Sequence, residues 1–299
     1  MEENKKDIDR INWVSGSAFI ILHVAVILVF WAGFSWFAMA VLLISYGIRM
    51  FGITAGYHRY FSHRTFKTSR WFQFILALLG TTSAQKGPLW WASHHRHHHK
   101  YSDSEKDIHS PRQSGFWWSH VGWILSDQYK NTNNKLIKDM RKYPELRWLD
   151  QWHLLPPILL AVFMYGLGWS LNRWVPELGT SGFQMLIWGF VLSTILLYHG
   201  TFTVNSLAHV FGKRRFDTKD DSRNSFLISL ITLGEGWHNN HHRFPSSERQ
   251  GIYWWEIDLS HYMLRFLSWV GLVWDLRTPP ERVYAQESRL KRPAANLER

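Results

Sequence analysis

The sequence predicts an all-α integral membrane protein, with four transmembrane helices in two hairpins and a His-rich cytosolic cap domain. Its 299 residues are 46% hydrophobic, yet the mean hydropathy is −0.22, because polar and apolar residues lie in separate blocks. Four apolar blocks are long enough, at 1.5 Å per helical residue, to cross a hydrocarbon core of ~30 Å. The polar blocks between them hold most of the histidines and basic residues.

The formal net charge of +11 excludes no class by itself, but its distribution does. The basic residues lie in loops between apolar spans and include no recognition helix or stacking platform, so nucleic acid is not an expected partner. Positive loops beside membrane spans are typical of the cytoplasmic side. The chain has no Cys, which leaves His and carboxylates as its metal ligands.

The first half of the chain is expected to contain one hairpin and one cytosolic region. Residues 1–14 form a charged cytosolic segment, and 15–57 form a hairpin of spans 15–34 and 36–56 that turns at Ser35. His23 is expected to be packed and not a ligand, and Arg49 to lie near the membrane interface, since mid-bilayer charge is costly. Residues 58–152 are basic and therefore cytosolic; their apolar run 71–82 is too short to span.

The second half repeats this order. A hairpin over 153–209 contains spans at about 154–171 and 183–207, and a second cytosolic region covers 210–277. Trp254, Trp255, Trp269 and Trp274 predict an amphipathic helix at the headgroup level. Residues 278–299 are read as a solvated tail. Both termini and all the histidine clusters then lie on the cytoplasmic side of one membrane.

Three histidine clusters carry the chemistry. Five imidazoles occupy 94–99, where His95, His98 and His99 have i, i+3, i+4 spacing. In a helix such rings share a face and can converge on a cation. The spacing repeats at His238, His241 and His242, and a further cluster adds His58 and His63. The full set is therefore His58, His63, His95, His98, His99, His238, His241 and His242.

Eight imidazoles exceed the capacity of one ion and fit two. Neutral imidazoles suit Fe, Cu or Zn, so ligand type alone leaves the metal open. A pair of redox-active irons beside a membrane could activate dioxygen to attack an unactivated C–H bond. Asp103, Asp107 and Glu235 stand near the clusters and are expected to accept from ring N–H groups and orient the rings.

The ordered motifs HRYFSH, HRHHH and GEGWHNNHHRFP resemble those of the membrane-bound fatty acyl desaturases, in particular the stearoyl-CoA (delta-9) type, over about residues 35–258. The resemblance implies a cone-like bundle of four membrane helices, a cytosolic domain and a dinuclear iron site. It also implies that dioxygen and electrons are used to insert a cis double bond, in the delta-9 position, into a saturated C16 or C18 acyl chain.

The resemblance also assigns residues. The eight histidines become iron ligands, His209 becomes a ninth, and Asn205 holds a metal-associated water. The residues expected to bend the acyl tunnel are Gln85, Trp91 and Thr201. Tyr46 and Met50 are expected at the closed end of the tunnel, and His109 is expected near the metals. Met50 is expected to shorten the accepted chain, whereas His94 and His97 are extra to the HxxHH pattern and are not expected to bind iron.

One departure concerns the acyl carrier. Ser93-His94 stand where vertebrate members have an Arg-Asp pair that contacts CoA. The acyl substrate is therefore expected to be carried either on CoA or on phospholipid. Electrons must come from a separate donor, namely cytochrome b5, ferredoxin or rubredoxin with its reductase. The membrane would be a bacterial inner membrane or the endoplasmic reticulum. The alternatives are a related diiron alkane or fatty-acid hydroxylase and, from another class, a membrane metal transporter with a His-rich loop.

Overall fold

The computed structural model describes residues 11–13 and 16–284, so most of the predicted segment 1–14 and of the tail 278–299 lies outside the described residues. The described chain is helical apart from loops and a two-stranded antiparallel ribbon. In this ribbon β1 (Lys67–Thr68) pairs with β2 (Val273–Trp274), Lys67 opposite Trp274.

Three helices of the described chain are long and apolar enough to cross a membrane. In chain order the helices are α1 (Ser17–Ala32), α2 (Trp36–Ser62), α3 (Arg70–Thr81), α4 (Pro88–Tyr101), α5 (Pro111–Ser114), α6 (Trp118–Gly122, continuing as Trp123–Leu125), α7 (Lys138–Arg141), α8 (Pro144–Gln151), α9 (Leu155–Trp174), α10 (Gly182–Val210), α11 (Phe226–Ile231), α12 (His238–Arg243) and α13 (Leu259–Trp269), with short 3-10 turns at Asp127–Tyr129 and Pro176–Leu178. The three long apolar helices are α2, α9 and α10.

The first predicted span is shorter in the structure than in the sequence analysis. The apolar run 15–34 forms α1, which narrows to a 3-10 turn at Val26–Leu28 and ends at Gly33. Gly33 has a φ of 70°, a left-handed conformation that favours glycine, and the chain reverses there into α2. Ser35 then caps α2 by accepting from the Ala38 amide at 3.0 Å.

The apolar helices pack on one another and leave apolar side chains outside. Ala38 and Leu42 of α2 join Met164 of α9 and Met185 of α10 in one buried cluster. The outer faces of α1 and α9 carry exposed residues such as Phe30, which is 83% exposed. An apolar outer surface of this extent is typical of helices that face lipid.

Arg49, which the sequence predicts near the membrane interface, is buried and hydrogen-bonded between two helices. It is 2% exposed, between α2 and α10, and donates to Thr194 Oγ1 at 2.7 Å and to Ser193 Oγ at 2.5 Å. Hydroxyl acceptors on a neighbouring helix compensate part of the cost of burying the guanidinium. The hydropathy of α2 alone could not reveal them.

The end of α2 is π-helical from Gly52 to Ser62 and packs against α3 and α4. A Cβ on Gly52 would lie 2.6 Å from the Gly80 amide nitrogen, so only glycine permits this approach. The apolar run at 71–82, which is too short to span a membrane, forms α3 and packs directly on the end of α2. This contact fixes the histidines at the end of α2 beside those of α4.

The predicted tryptophan helix is wrong in its extent. Trp269 ends α13, but Trp254 and Trp255 lie in the loop before it and Trp274 lies on β2. Trp254 is nevertheless 79% exposed and Trp269 is 74% exposed. The aromatic surface is thus built from a loop and a helix end.

Candidate metal centre

Five histidines from three helices place their ring nitrogens within 4.8 Å of one another. We call this the five-histidine group: His58, His63, His95, His99 and His241. Its Nε2 atoms approach closely, at 3.0 Å between His58 and His241, 2.8 Å between His63 and His95, and 2.9 Å between His241 and His99.

A second set adjoins it. The four-histidine group comprises His98, His209, His238 and His242, again with ring nitrogens within 4.8 Å. The Nε2 atoms of His209 and His238 are 3.0 Å apart. The structure therefore brings together all nine histidines proposed as ligands from the sequence, but divides them between two sites.

The geometry fits metal ions better than imidazole pairs. Nε2 of His241 contacts Nε2 of both His58 and His99, although a ring nitrogen has one hydrogen or one lone pair and can make only one such bond. Two imidazoles about 2.1 Å from one cation and at right angles have nitrogens about 3.0 Å apart. His242 Nε2 is buried and has no hydrogen-bond partner among the described residues.

Burial favours the neutral form, which binds a cation, in five of these rings. At His98, burial is outweighed by attraction to Asp107, and the pKa is raised. Desolvation and neighbouring imidazoles lower the pKa of His63, His95 and His99 well below the ordinary value. The same causes lower the pKa of His238 and His241. Cations would therefore meet little competition from protons at neutral pH.

Carboxylates orient four of the rings through Nδ1, which leaves Nε2 facing the site. Asp107 accepts from His98 at 2.9 Å, Asp103 from His209 at 2.8 Å, and Asp220 from His242 at 2.8 Å, while Glu235 pairs with His58. Burial alone would raise the pKa of Asp107, but attraction and hydrogen bonding from His98 hold that pKa well below its usual range.

Asp220 was not identified from the sequence. It lies in a charged loop 22 residues before His242, and no periodicity links the two. His109 lies beside the four-histidine group, where its ring stacks on His98 with centroids 4.3 Å apart and its backbone amide contacts Asp107. It supports the His98 ring by packing rather than by a side-chain hydrogen bond.

Arg59 ties the first histidine motif to the third. Its guanidinium is 1% exposed and donates to Glu235, Asp258 and the backbone of Glu248, the closest at 2.9 Å to Asp258. Glu235 therefore bridges Arg59 and His58 of the five-histidine group. The buried Arg59 guanidinium thus holds the start of α12 against the end of α2.

A small cavity opens beside both groups. Its lining includes His58, His95, His98 and His238 together with four of the residues proposed from the sequence: Met50, Trp91, Thr201 and Asn205. Gln85 is outside the lining but donates to Thr201 Oγ1 at 3.0 Å. Tyr46 also lies outside it, and its hydroxyl donates to Ile231 O.

The extra histidines of α4 belong to neither group. His94 Nδ1 contacts Trp90 O at 2.9 Å, and His97 Nε2 contacts Lys106 O at 2.8 Å. Ser93 is fully buried and donates to Trp90 O, while His94 is 8% exposed. The Ser93-His94 pair therefore faces inward and offers no exposed cation to an anionic carrier.

Comparison with known proteins agrees with this geometry. A sequence profile described as "Fatty acid desaturase" matches residues 34–275. Similar proteins include "Delta-9 acyl-lipid desaturase 2" of Arabidopsis thaliana, 37% identical over 91% of this chain and 85% of the relative, and "sn-1 stearoyl-lipid 9-desaturase" of Anabaena variabilis, 36% identical over 90% and 94%. "Icosanoyl-CoA 5-desaturase" of Limnanthes douglasii is 34% identical over 88% and 70%.

Proposed function

Because this chain belongs to the fatty acid desaturase family, and is thus an oxidoreductase acting on acyl chains, we propose a specific activity for it. It inserts a cis double bond at the delta-9 position of a C16 or C18 chain esterified to a membrane lipid. The observation that carries the proposal is the convergence of nine histidines in two adjacent groups, four of which line one cavity.

Two irons are the proposed cofactors, one for each histidine group. When bound, they supply the activation of dioxygen that removal of hydrogen from an unactivated chain requires. The protein's own residues do the rest: carboxylates fix the ring orientations, and Trp91, Thr201 and Asn205 line the space for the chain. Burial of these groups excludes bulk water.

Met50 is proposed to close the far end of the cavity. It is 1% exposed and lines the cavity, with Gly200 of α10 opposite. A Cβ on Gly200 would lie 3.0 Å from Met50 Cε and 2.8 Å from the Tyr46 hydroxyl, so these three positions are in close contact. Side-chain volume here would limit the length of the accepted chain.

A lipid-linked substrate is favoured over acyl-CoA for two reasons. Ser93 and His94 face inward, and the relatives from Arabidopsis and Anabaena named above carry acyl-lipid and stearoyl-lipid names. Four membrane spans, with α1 as the first, would place the histidines and both termini on the cytoplasmic face. The basic loops there would dock a separate electron donor.

Expression in a host without its own delta-9 desaturase tests the proposal. Gas chromatography of fatty acid methyl esters, separated by lipid class, should show a new cis-9 monoene in glycerolipids. His98→Ala should abolish it, while His97→Ala, which alters a neighbouring ring outside both groups, should not. Hydroxylated chains would identify a hydroxylase, and metal flux without any lipid product would identify a transporter.

A further inference from the structure

Three further histidines form a hydrogen-bonded string outside both metal groups. His23 Nε2 of α1 lies 3.1 Å from His199 Nε2 of α10, and His199 Nδ1 lies 3.0 Å from His120 Nε2 of α6. His120 Nδ1 then lies 2.8 Å from Ser206 Oγ. His199 uses both nitrogens in opposite directions, so the three rings form a line and not a chelate.

Backbone carbonyls stand at both ends. His23 Nδ1 contacts Phe19 O at 2.7 Å, and Ser206 Oγ contacts Phe202 O at 2.9 Å. The string thus has five contacts, but three neutral imidazoles and one hydroxyl supply only four hydrogens. One added proton completes every contact, whichever ring carries the charge.

The string can also release that proton without leaving a buried group unbonded. When the Ser206 hydroxyl turns to donate to His120, Phe202 O keeps its bond from the Ser206 amide at 3.1 Å. The charge can therefore pass between His23 and His120 by hydrogen shifts within the existing contacts, without rotation of any ring. A line of imidazoles with this property can carry one proton along its length, and its hydrogens must return to their starting positions before the next proton passes.

The surroundings are aromatic, which limits competing proton acceptors. Phe19 packs on His23 at 4.0 Å, and Phe116 stacks on His120 at 5.6 Å. Tyr198 stacks near His23 at 6.5 Å, and its hydroxyl donates to Ala84 O. Arg49, on the helix packed against α10, interacts electrostatically with Tyr198. Desolvation and His199 lower the pKa of His120, so a proton there is held only transiently.

The inner end of the string adjoins the metal centre. Ser206 follows Asn205, whose side chain lines the cavity. The Ser206 carbonyl accepts from the amide of the ligand His209 at 3.2 Å. Ser119, next to His120, bridges the carbonyls of Asn205 and His109. The string therefore reaches from α1 to the backbone that positions the four-histidine group.

We propose that His23, His199 and His120 form a proton relay that serves the metal cavity. The proposal rests on the function above, in which the acyl chain yields two electrons and two protons to dioxygen. Reduction of dioxygen to two waters requires two more electrons, from the donor, and two more protons, from solvent. The relay passes those two protons, one after the other, along its partly buried rings.

His199→Gln tests the relay, because the amide can keep hydrogen bonds but cannot carry the proton. We expect wild-type metal content and a loss of about tenfold or more in kcat at pH 8, smaller at pH 6 and partly reversed by added imidazole. The variant should also release more hydrogen peroxide for each electron consumed. His120→Asn should behave alike, while His153→Gln, at a partly buried histidine outside the string, should match the wild type.

The outcomes separate the two proposals. A wild-type protein that contains metal but makes no alkene refutes the proposed function, whatever the variants do. An active wild type with unchanged pH profile and peroxide release in both His199→Gln and His120→Asn refutes the relay. Loss of activity that neither lower pH nor imidazole reverses, with metal content intact, assigns the histidines a packing role and also overturns it.

Discussion

Replacing Asp220 should empty one metal site and spare the other. Asp220 is 8% exposed and accepts from His242 Nδ1 at 2.8 Å, while the opposite nitrogen of that ring faces the four-histidine group. In Asp220→Ala the ring loses the acceptor that fixes its orientation and raises its basicity. Loss of such a partner weakens metal binding by about 10–100-fold, or about 1.4–2.7 kcal/mol.

The assay is metal content after equilibrium dialysis against a series of buffered iron concentrations. The wild type should approach two irons per chain, and Asp220→Ala should show a plateau at one before the second binds at about 10–100-fold higher free iron. Because His242 is not a member of the five-histidine group, the iron occupancy of that group should not change.

Asp221→Ala is the matched control. It removes the neighbouring carboxylate, which pairs with Arg112 at 3.6 Å and with Arg214 at 3.8 Å. Neither of these ion pairs involves a histidine of the two groups. It should bind iron like the wild type. Equal weakening of both irons by Asp220→Ala, or no weakening at all, would refute the division of the histidines into two independent sites.

Three further outcomes follow from the same contacts. Met50→Ala should shift the products of mixed C14–C20 feeding toward longer chains, and an unchanged chain-length profile on gas chromatography would contradict the assigned tunnel end. Arg49→Ala should lower the thermal unfolding midpoint in detergent more than Arg49→Met, because alanine leaves a cavity whereas methionine fills the space with apolar atoms; equal midpoints would show that shape is not the issue. The five-histidine group should retain its iron at pH 5.5, because burial lowers the pKa of His63 and His95 well below 6.5 and protons displace metal only as pH falls towards those lowered values; dialysis and metal analysis showing loss of this iron near pH 6.5 would oppose this.

Hydropathy predicted the long helices because membrane spans are defined by length and apolarity, which are local properties of the sequence. It could not identify the partners of Arg49, because the sequence shows the cost of a buried charge but not the hydroxyls on α10 that offset it. Asp220 could not be identified from the sequence for a related reason. Its partner is 22 residues away through an irregular loop, so no spacing rule joins them.

The histidine motifs show how far spacing can be taken. From i, i+3, i+4 spacing, three rings of one motif were expected to converge on one cation, but the structure splits each motif. His95 and His99 belong to the five-histidine group and His98 to the other, whereas His238 and His242 join His98 and leave His241 to the first.

Helix geometry explains the split. At 3.6 residues per turn, rings four positions apart are rotated by about 40° around the helix axis, whereas adjacent rings are rotated by about 100°. The i, i+4 pair of each helix therefore serves one site and the third ring turns to its neighbour. Since α4 gives its pair to one group and α12 gives its pair to the other, two helices of identical spacing build two adjacent sites. A single HxxHH motif could not specify this arrangement, because the division depends on how the two helices face each other.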